Sequence, residues 1–368
     1  MLGTILIFLL VLSILVLVHE FGHFLVARRT GVLVEEFGIG LPPRIFGKKI
    51  GETTYSINLL PFGGFVKLHG ESGEEKLIHP TRAFVNKSKR VRIAIVIAGV
   101  LMNFILATVA FGVVYFFSGI PRETKNVKVL EVRSGSPAEA ADFQVGDIVR
   151  KVDGKDVSTT NEFITLVEEK RGKEVEIELN LPAQAGTKKI LVTPRESPPE
   201  GEGPLGVVIS TSEIYYPPAL VRPFVGIYYG FKESIVWGKT VILGFAKIFT
   251  DLAGGTLPKD VAGPVGIFAI TSEAAKFGIL ALINFLGILS VNLAVLNIIP
   301  FPALDGGRLL FIGIETFLGR KVVPRVEAII HTVGMIILLV LIFAITAHDI
   351  QRLISAGGIT GFIETILK

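Results

Sequence analysis

The chain has 368 residues, half of them hydrophobic and 19% charged; soluble domains carry roughly 25% charged residues, so the composition is that of a membrane protein with a soluble portion. It contains no cysteine, which excludes disulfides and thiolate-bound metal and leaves His, Asp, Glu, Asn or water as ligands for any metal. The net charge is a modest +4, with no basic run interleaved with aromatics, so no nucleic-acid partner is expected.

In chain order, the first apolar stretch covers residues 2–27. Its unbroken run is longer than a signal-peptide core of about 7–15 residues, and it lacks a basic start and a small-x-small cleavage site, so it reads as a retained membrane helix. Three further stretches, 93–117, 277–299 and 326–347, also approach the roughly 20 helical residues that cross a bilayer. The fold class expected is therefore a polytopic α-helical membrane protein with four transmembrane helices.

The loop 28–92 holds twelve Lys and Arg against six Asp and Glu, which places it in the cytoplasm. The amino terminus and residues 118–275 are then outside, and Arg308, Arg320, Lys321 and Arg325 inside. Within the loop, ETTYSINLLPFGGFVKL alternates in polarity and is interrupted by Pro61 and Gly63-Gly64, as in a β-hairpin or re-entrant segment over 50–70. At membrane depth such a strand must be buried in protein or line a cavity; an ordinary cytoplasmic hairpin fits the pattern equally well. Residues 1–117 thus form the first half of a membrane core.

Residues 118–218 have soluble composition. Four β-type runs, VKVLEV, DIVRKVDG, EVEIELN and KKILVTP, surround one helical pattern, NEFITLVEEK, which predicts a small inserted α+β domain. Residues 219–275 are expected to be a linker with interfacial amphipathic helices, because SIVWGKTVILGFAKIF is apolar but interrupted by Lys239 and Lys247. Residues 276–368 supply the second half of the core and a short C-terminal segment.

Chemistry enters at HEFGH, residues 19–23, the cytoplasmic end of the first span. This is H-E-x-x-H: on a helix, positions i and i+4 share a face, so His19 and His23 converge on one ion while Glu20 reaches a water beside it. Zinc suits two imidazoles plus a carboxylate and an open position. The competing reading has these side chains snorkelling to water from a helix end. Three ionisable residues inside so apolar a helix favour the metal.

NIIPFPALDGGR closes the third span. Pro300 and Pro302 break the helix and free Asp305 to turn inward, although Asp-Gly-Gly also reads as a plain turn. Four spans bring Asp305 to the same side as His19; a fifth, at 230–250, would put it on the opposite side. His69, His79, His331 and His348 are read as solvated or hydrogen-bonded. Asn103, Asn284 and Asn292 suit bridges between helices, while Asn292 and Asn297, leading towards Asp305, suit contact with an unwound substrate backbone.

Together HEFGH, PFGGFVKL, AGVLMNF, GSPAEAA with VGDIV, and NIIPFPALDGG resemble the site-2 proteases, and within them the bacterial regulator-of-sigma-factor type of intramembrane zinc metalloprotease. Val100 stands where that family usually has proline. The resemblance implies Zn2+ held by His19, His23 and Asp305, Glu20 as catalytic acid and base, and substrate contacts at Asn297 and Asn292. Gly63, Gly64 and Phe65 are expected to hold substrate by edge pairing. The inserted domain resembles a circularly permuted PDZ domain with a single copy, its groove formed at Gly203, Leu205, Gly206 and Val207 beside NEFITLVEEK. Implied partners are single-span membrane proteins of the anti-sigma-factor type, already cut once by another protease, signal-peptide remnants, and the lipid bilayer of a bacterial inner membrane. Two rival readings are a non-catalytic membrane PDZ adaptor with a structural metal, and a transporter, for which no inverted repeat is found.

Overall fold

A computed structural model describes residues 2–71, 77–181, 186–199, 201–254, 262–320, 324–358 and 361–362. Lys76 and Lys321, counted above among the cytoplasmic charges, lie outside them. The chain divides into two units, Met1–Phe117 with Ala219–Lys368, and Ser118–Pro218.

The first unit opens with helix α1 (Leu2–Arg29), two strands, β1 (Val34–Ile50) and β2 (Thr53–Leu68), and helix α2 (Lys89–Ser118). After the insertion come α5 (Arg222–Ala253), α6 (Pro264–Lys276), α7 (Ile279–Ile298), α8 (Asp305–Leu318) and α9 (Pro324–Ser355). Four helical segments, Leu2–Arg29, Lys89–Ser118, Ile279–Ile298 and Val326–Ser355, are long and apolar enough to cross a membrane. They coincide with the four expected spans, the last running eight residues further than its apolar stretch.

The contacts of α2 fix the relative directions of its neighbours. Gly22 of α1 meets Ala98 and His19 meets Asn103, while Gly287 of α7 meets Phe111 and the Ser290 hydroxyl donates to the Asn103 carbonyl at 2.7 Å. As α2 is descended, both α1 and α7 ascend, so α1 and α7 run the same way and the end of α7 lies level with His19, where Asn297 approaches its ring. The crossing of α1 and α2 needs glycine at position 22, where a Cβ would stand 2.3 Å from the Ala98 carbonyl oxygen.

The segment expected to be interfacial contains one 32-residue helix, α5. It packs along α2 and α7: Gly226 and Gly230 sit against Gly112, and Phe231 against Phe104. Its Glu233 accepts hydrogen bonds from Tyr115 at 2.9 Å and from Trp237 at 3.0 Å. Paired donors of this kind are what a carboxylate requires against an apolar bundle.

The hairpin is longer than expected, with its first strand starting at Val34 rather than near residue 50. Gly38 pairs with Ser56 on one side and Phe65 on the other, and Arg44–Ile50 pair back onto Thr53–Asn58. Four stretches therefore lie side by side in the order 44–50, 53–58, 34–41 and 64–68. The stretch 64–68, from PFGGFVKL, is at an edge. Residues 42–50 are all exposed, so no alternation in polarity marked them as strand.

The second unit is a sheet in the order β7 (Thr187–Val192), β6 (Val175–Asn180), β4 (Ile148–Val152), β3 (Ile120–Val132) and β8 (Val207–Tyr215), with β5 (Lys155–Asp156) paired to β4. Helices α3 (Pro137–Ala140) and α4 (Thr160–Glu168) complete it. Alternating Val175, Ile177 and Leu179 join Val127, Val129, Phe163 and Leu205 in one core. A capping box at Thr159 and Glu162 starts α4.

Candidate metal centre

Helical spacing puts His19 and His23 one above the other on the face of α1 turned to α2. There α2 presents Gly99, where a Cβ would lie 2.4 Å from His23 Nε2 and 2.7 Å from His19 Cε1. Only glycine leaves room for the two rings. Asp305, the first residue of α8, meets them from the other side: its Oδ2 is 3.0 Å from His19 Nε2 and 3.2 Å from His23 Nε2, and the two Nε2 atoms are 3.1 Å apart.

These three atoms form a nearly equilateral triangle. A tetrahedral ion with ligand bonds of about 2.0–2.1 Å holds its ligand atoms about 3.3 Å from one another, so the triangle is close to one face of a zinc coordination sphere. It is also the one group of three or more His, Asp and Glu able to share an ion among the described residues. Asp305 Oδ2 is buried and accepts no hydrogen bond, an orphan that a cation satisfies.

The outer nitrogens fix the tautomers. His23 Nδ1 lies 2.8 Å from the Ile95 carbonyl oxygen, which can only accept, so Nδ1 carries the proton and Nε2 keeps its lone pair for a metal. Asn103 lies 3.3 Å from His19 Nδ1 through its amide nitrogen, with its buried Oδ1 unpartnered. Turning that amide over satisfies both groups: Oδ1 then accepts from Nδ1–H and leaves His19 Nε2 free to ligate.

The loop before Asp305 is held tightly. Ala303 has φ 79°, a left-handed conformation costly for a residue with a side chain, and its N–H donates to His331 Nδ1 of α9 at 3.0 Å. A Cβ at Gly306 would stand 2.0 Å from the Ile299 carbonyl oxygen and one at Gly307 2.5 Å from that of Phe301. The two glycines thus let the first turn of α8 fold onto the chain leading into it.

The triangle forms part of the wall of a cavity of about 340 Å3 that is also lined by Glu20, Asn297, Phe65, Glu71 and Arg308. Asn297 Nδ2 is 3.4 Å from His19 Nε2. Asn292 is not brought to the cavity; its amide donates to the Ile288 carbonyl of its own helix at 2.9 Å. Phe65 lines the cavity, whereas Gly64 packs on Gly38 and Leu17, and Gly63, at φ 78°, precedes it within β2. In the second unit, Gly206 at φ 72° packs on Ser136, and Leu205, expected in a groove, is buried in the core at 2% exposure.

Sequence reasoning missed Gly99, Asn103, Glu71, Arg308 and His331 as parts of this environment. The signal for the first two was available: Gly99 and Asn103 are four residues apart and share a face of α2, as His19 and His23 do on α1.

The model of Peptidase family M50 matches residues 7–341. A Clostridium perfringens relative, provisionally named a zinc metalloprotease, is 38% identical over 93% of this chain and 97% of its own. Zinc metalloprotease RasP of Shouchella clausii is 30% identical over 96% of this chain and 100% of its own. Regulator of sigma-W protease RasP of Bacillus subtilis is 29% identical over 95% and 99%. The PDZ domain of an SdrC-like protein from Listeria monocytogenes matches 23% of this chain and 87% of its own, at 22% identity and a TM-score of 0.21. The chain belongs to peptidase family M50, the site-2 proteases, and is a zinc metalloprotease.

Proposed function

We propose that this protein hydrolyses a peptide bond in or near the transmembrane helix of single-span membrane proteins of the anti-sigma-factor type, following a first cut by another protease. The observation that carries the reading is the His19, His23 and Asp305 triangle opening on a cavity shared with Glu20 and an edge strand, within a set of membrane-length helices.

His19, His23 and Asp305 would hold zinc, which when bound acidifies water and polarises a peptide carbonyl. Glu20 would take a proton from the attacking water and return it to the leaving nitrogen, work worth about 10²–10⁴-fold in rate. A transmembrane helix satisfies its own backbone hydrogen bonds, so the scissile stretch must unwind before it can react. Among the described residues no strand pairs with the outer side of 64–67. That edge can accept an extended segment by strand addition, with Asn297 donating to its backbone.

The inserted unit supports a PDZ reading: β8 ends its sheet beside α4, preceded by the Gly203–Val207 loop, so a peptide can add at that edge. We assign it the role of a size filter or peptide clamp outside a bacterial inner membrane. Lys and Arg concentrated in residues 28–92 favour that orientation.

The deciding experiment is cleavage of candidate single-span proteins by purified enzyme in detergent, comparing wild type with Glu20→Gln, each with and without chelator. Cleavage is expected only from metal-replete wild type. No cleavage from metal-replete wild type, with partner binding retained in Glu20→Gln, would instead favour a membrane adaptor with a structural metal.

A further inference from the structure

One charged pair in the cavity wall belongs neither to the metal triangle nor to the proton path. Glu71 stands three residues beyond the edge stretch 64–68, and Arg308 stands one turn after Asp305 on the same face of α8. Arg308 Nη1 donates to Glu71 Oε1. The other carboxylate oxygen, Oε2, accepts the backbone N–H of Leu68 at 3.2 Å, at the end of the edge stretch itself. The two residues are far apart in the chain, and Leu68, Glu71, Asp305 and Arg308 all line one cavity.

A continuous chain of bonds therefore runs from the edge strand through Glu71 and Arg308 into the first turn of α8, which carries Asp305. Otherwise the edge strand is tied to its own hairpin and to α1, where Ser13 donates to the Pro61 carbonyl at 3.2 Å. The ladder to β1 continues to the Val34–Leu68 pair, and His69 N–H donates to the Leu33 carbonyl at 2.9 Å, so the hairpin holds the strand along its length. The ion pair adds a tie from the end nearest the metal to α8, which carries Asp305.

We propose that Glu71 and Arg308 form a positioning pair that sets which peptide bond of a strand-paired substrate faces the metal. The inference rests on the edge-binding reading above. The residues act through the strand and do not touch the reacting atoms. Side chains in a strand repeat every two residues, so a substrate that loses this reference slips in steps of two while keeping the same face to the enzyme. A displacement of about 1 Å at a reacting carbonyl is enough to cost about 100-fold in rate.

The test compares Glu71→Gln, Arg308→Gln, the double variant and the charge exchange Glu71→Arg/Arg308→Glu on one single-span substrate, with products identified by mass. Expected are a kcat lower by about 10- to 100-fold, a KM within about threefold of wild type because strand pairing persists, and cuts spread to bonds two residues from the native site. The double variant should be no worse than either single one, and the exchange should restore the single cut.

A second readout is independent of activity. The chain has no cysteine, so spin labels at Lys67→Cys and Phe317→Cys report only the distance from hairpin to α8. Its distribution should broaden in Glu71→Gln and Arg308→Gln and narrow again in the exchange. Slower cleavage at one unchanged bond with an unchanged distance distribution would overturn the proposal. So would loss confined to Arg308 variants, which would make Arg308 a group acting on the substrate itself. Glu20→Gln run alongside keeps the two levels apart: if it still cleaves, the proteolytic reading fails; if it is dead while the Glu71 and Arg308 variants cut normally, only the positioning role fails.

Discussion

His23 Nδ1 and the Ile95 carbonyl oxygen are 2.8 Å apart, and through that bond a helix with no metal ligand of its own sets the chemistry of one that has two. Ile95 lies in the first turns of α2, where the carbonyl already accepts from the helix ladder and still has a second lone pair to offer. The imidazole is thereby held with Nδ1 on α2 and Nε2 3.2 Å from Asp305 Oδ2. The same helix supplies Gly99 beneath the rings and Asn103 behind His19, so α2 is the template on which the metal triangle is assembled.

Gly99→Ala is the sharpest test of that template. A Cβ there would stand 2.4 Å from His23 Nε2, and the ring has no other place to go while its Nδ1 remains bonded. Zinc affinity is expected to fall about 10- to 100-fold, with the helical content of the protein unchanged. Metal stoichiometry by mass spectrometry after mild chelation, read beside circular dichroism, checks both halves.

Asn103 separates orientation from packing. Asn103→Leu fills the space but offers no acceptor to His19 Nδ1–H, and metal affinity is expected to drop about 10- to 100-fold. Asn103→Asp keeps an acceptor in place and should retain zinc. Equal zinc retention in both variants would mean that the amide has no role in ligand orientation.

Glu35 makes the base of the hairpin sensitive to acid. It accepts from His69 Nδ1 at 2.7 Å and from Lys67 Nζ at 2.9 Å. Partial burial alone would raise its carboxyl, but Lys67 and His69 outweigh that and lower it from the ordinary 4.5. A carboxyl depressed in the folded state contributes stability above its ordinary value and loses it as pH falls through the folded value. The gap in Tm between wild type and Glu35→Gln should be fully open at neutral pH and close in the acid range below 4.5.

The pair between Arg92 of α2 and Glu315 of α8 is buried, with side chains 7% and 4% exposed, and Lys89 donates to the Glu315 carbonyl at 3.0 Å. Removing one partner leaves a buried charge, so Glu315→Ala should cost about 3–5 kcal/mol. Replacing both, as Arg92→Met/Glu315→Leu, should recover most of that loss. Unfolding in detergent measures the two variants against wild type.

Much of this protein is determined locally and can be read from the sequence. Hydropathy and length locate the four membrane-length helices because a bilayer core imposes one span length on every crossing. HEFGH presents two imidazoles on one face because helix periodicity is a property of five consecutive residues. The strands of the inserted unit follow from alternation in runs such as EVEIELN.

What only the tertiary structure decides are relations between distant segments, which leave no mark on any short window. The count of spans brings Asp305 to the side of His19, but the contact itself, 3.0 Å from Asp305 Oδ2 to His19 Nε2, is set only by the packing of the helices. Residues 42–50 carry no polarity pattern because they are exposed, so their pairing comes from the hairpin's register alone. Gly99 and Asn103 look like ordinary residues of an apolar helix until the rings of α1 are packed on them. The bond from Arg308 to Glu71 joins two charges whose separate sequence contexts give no sign of one another.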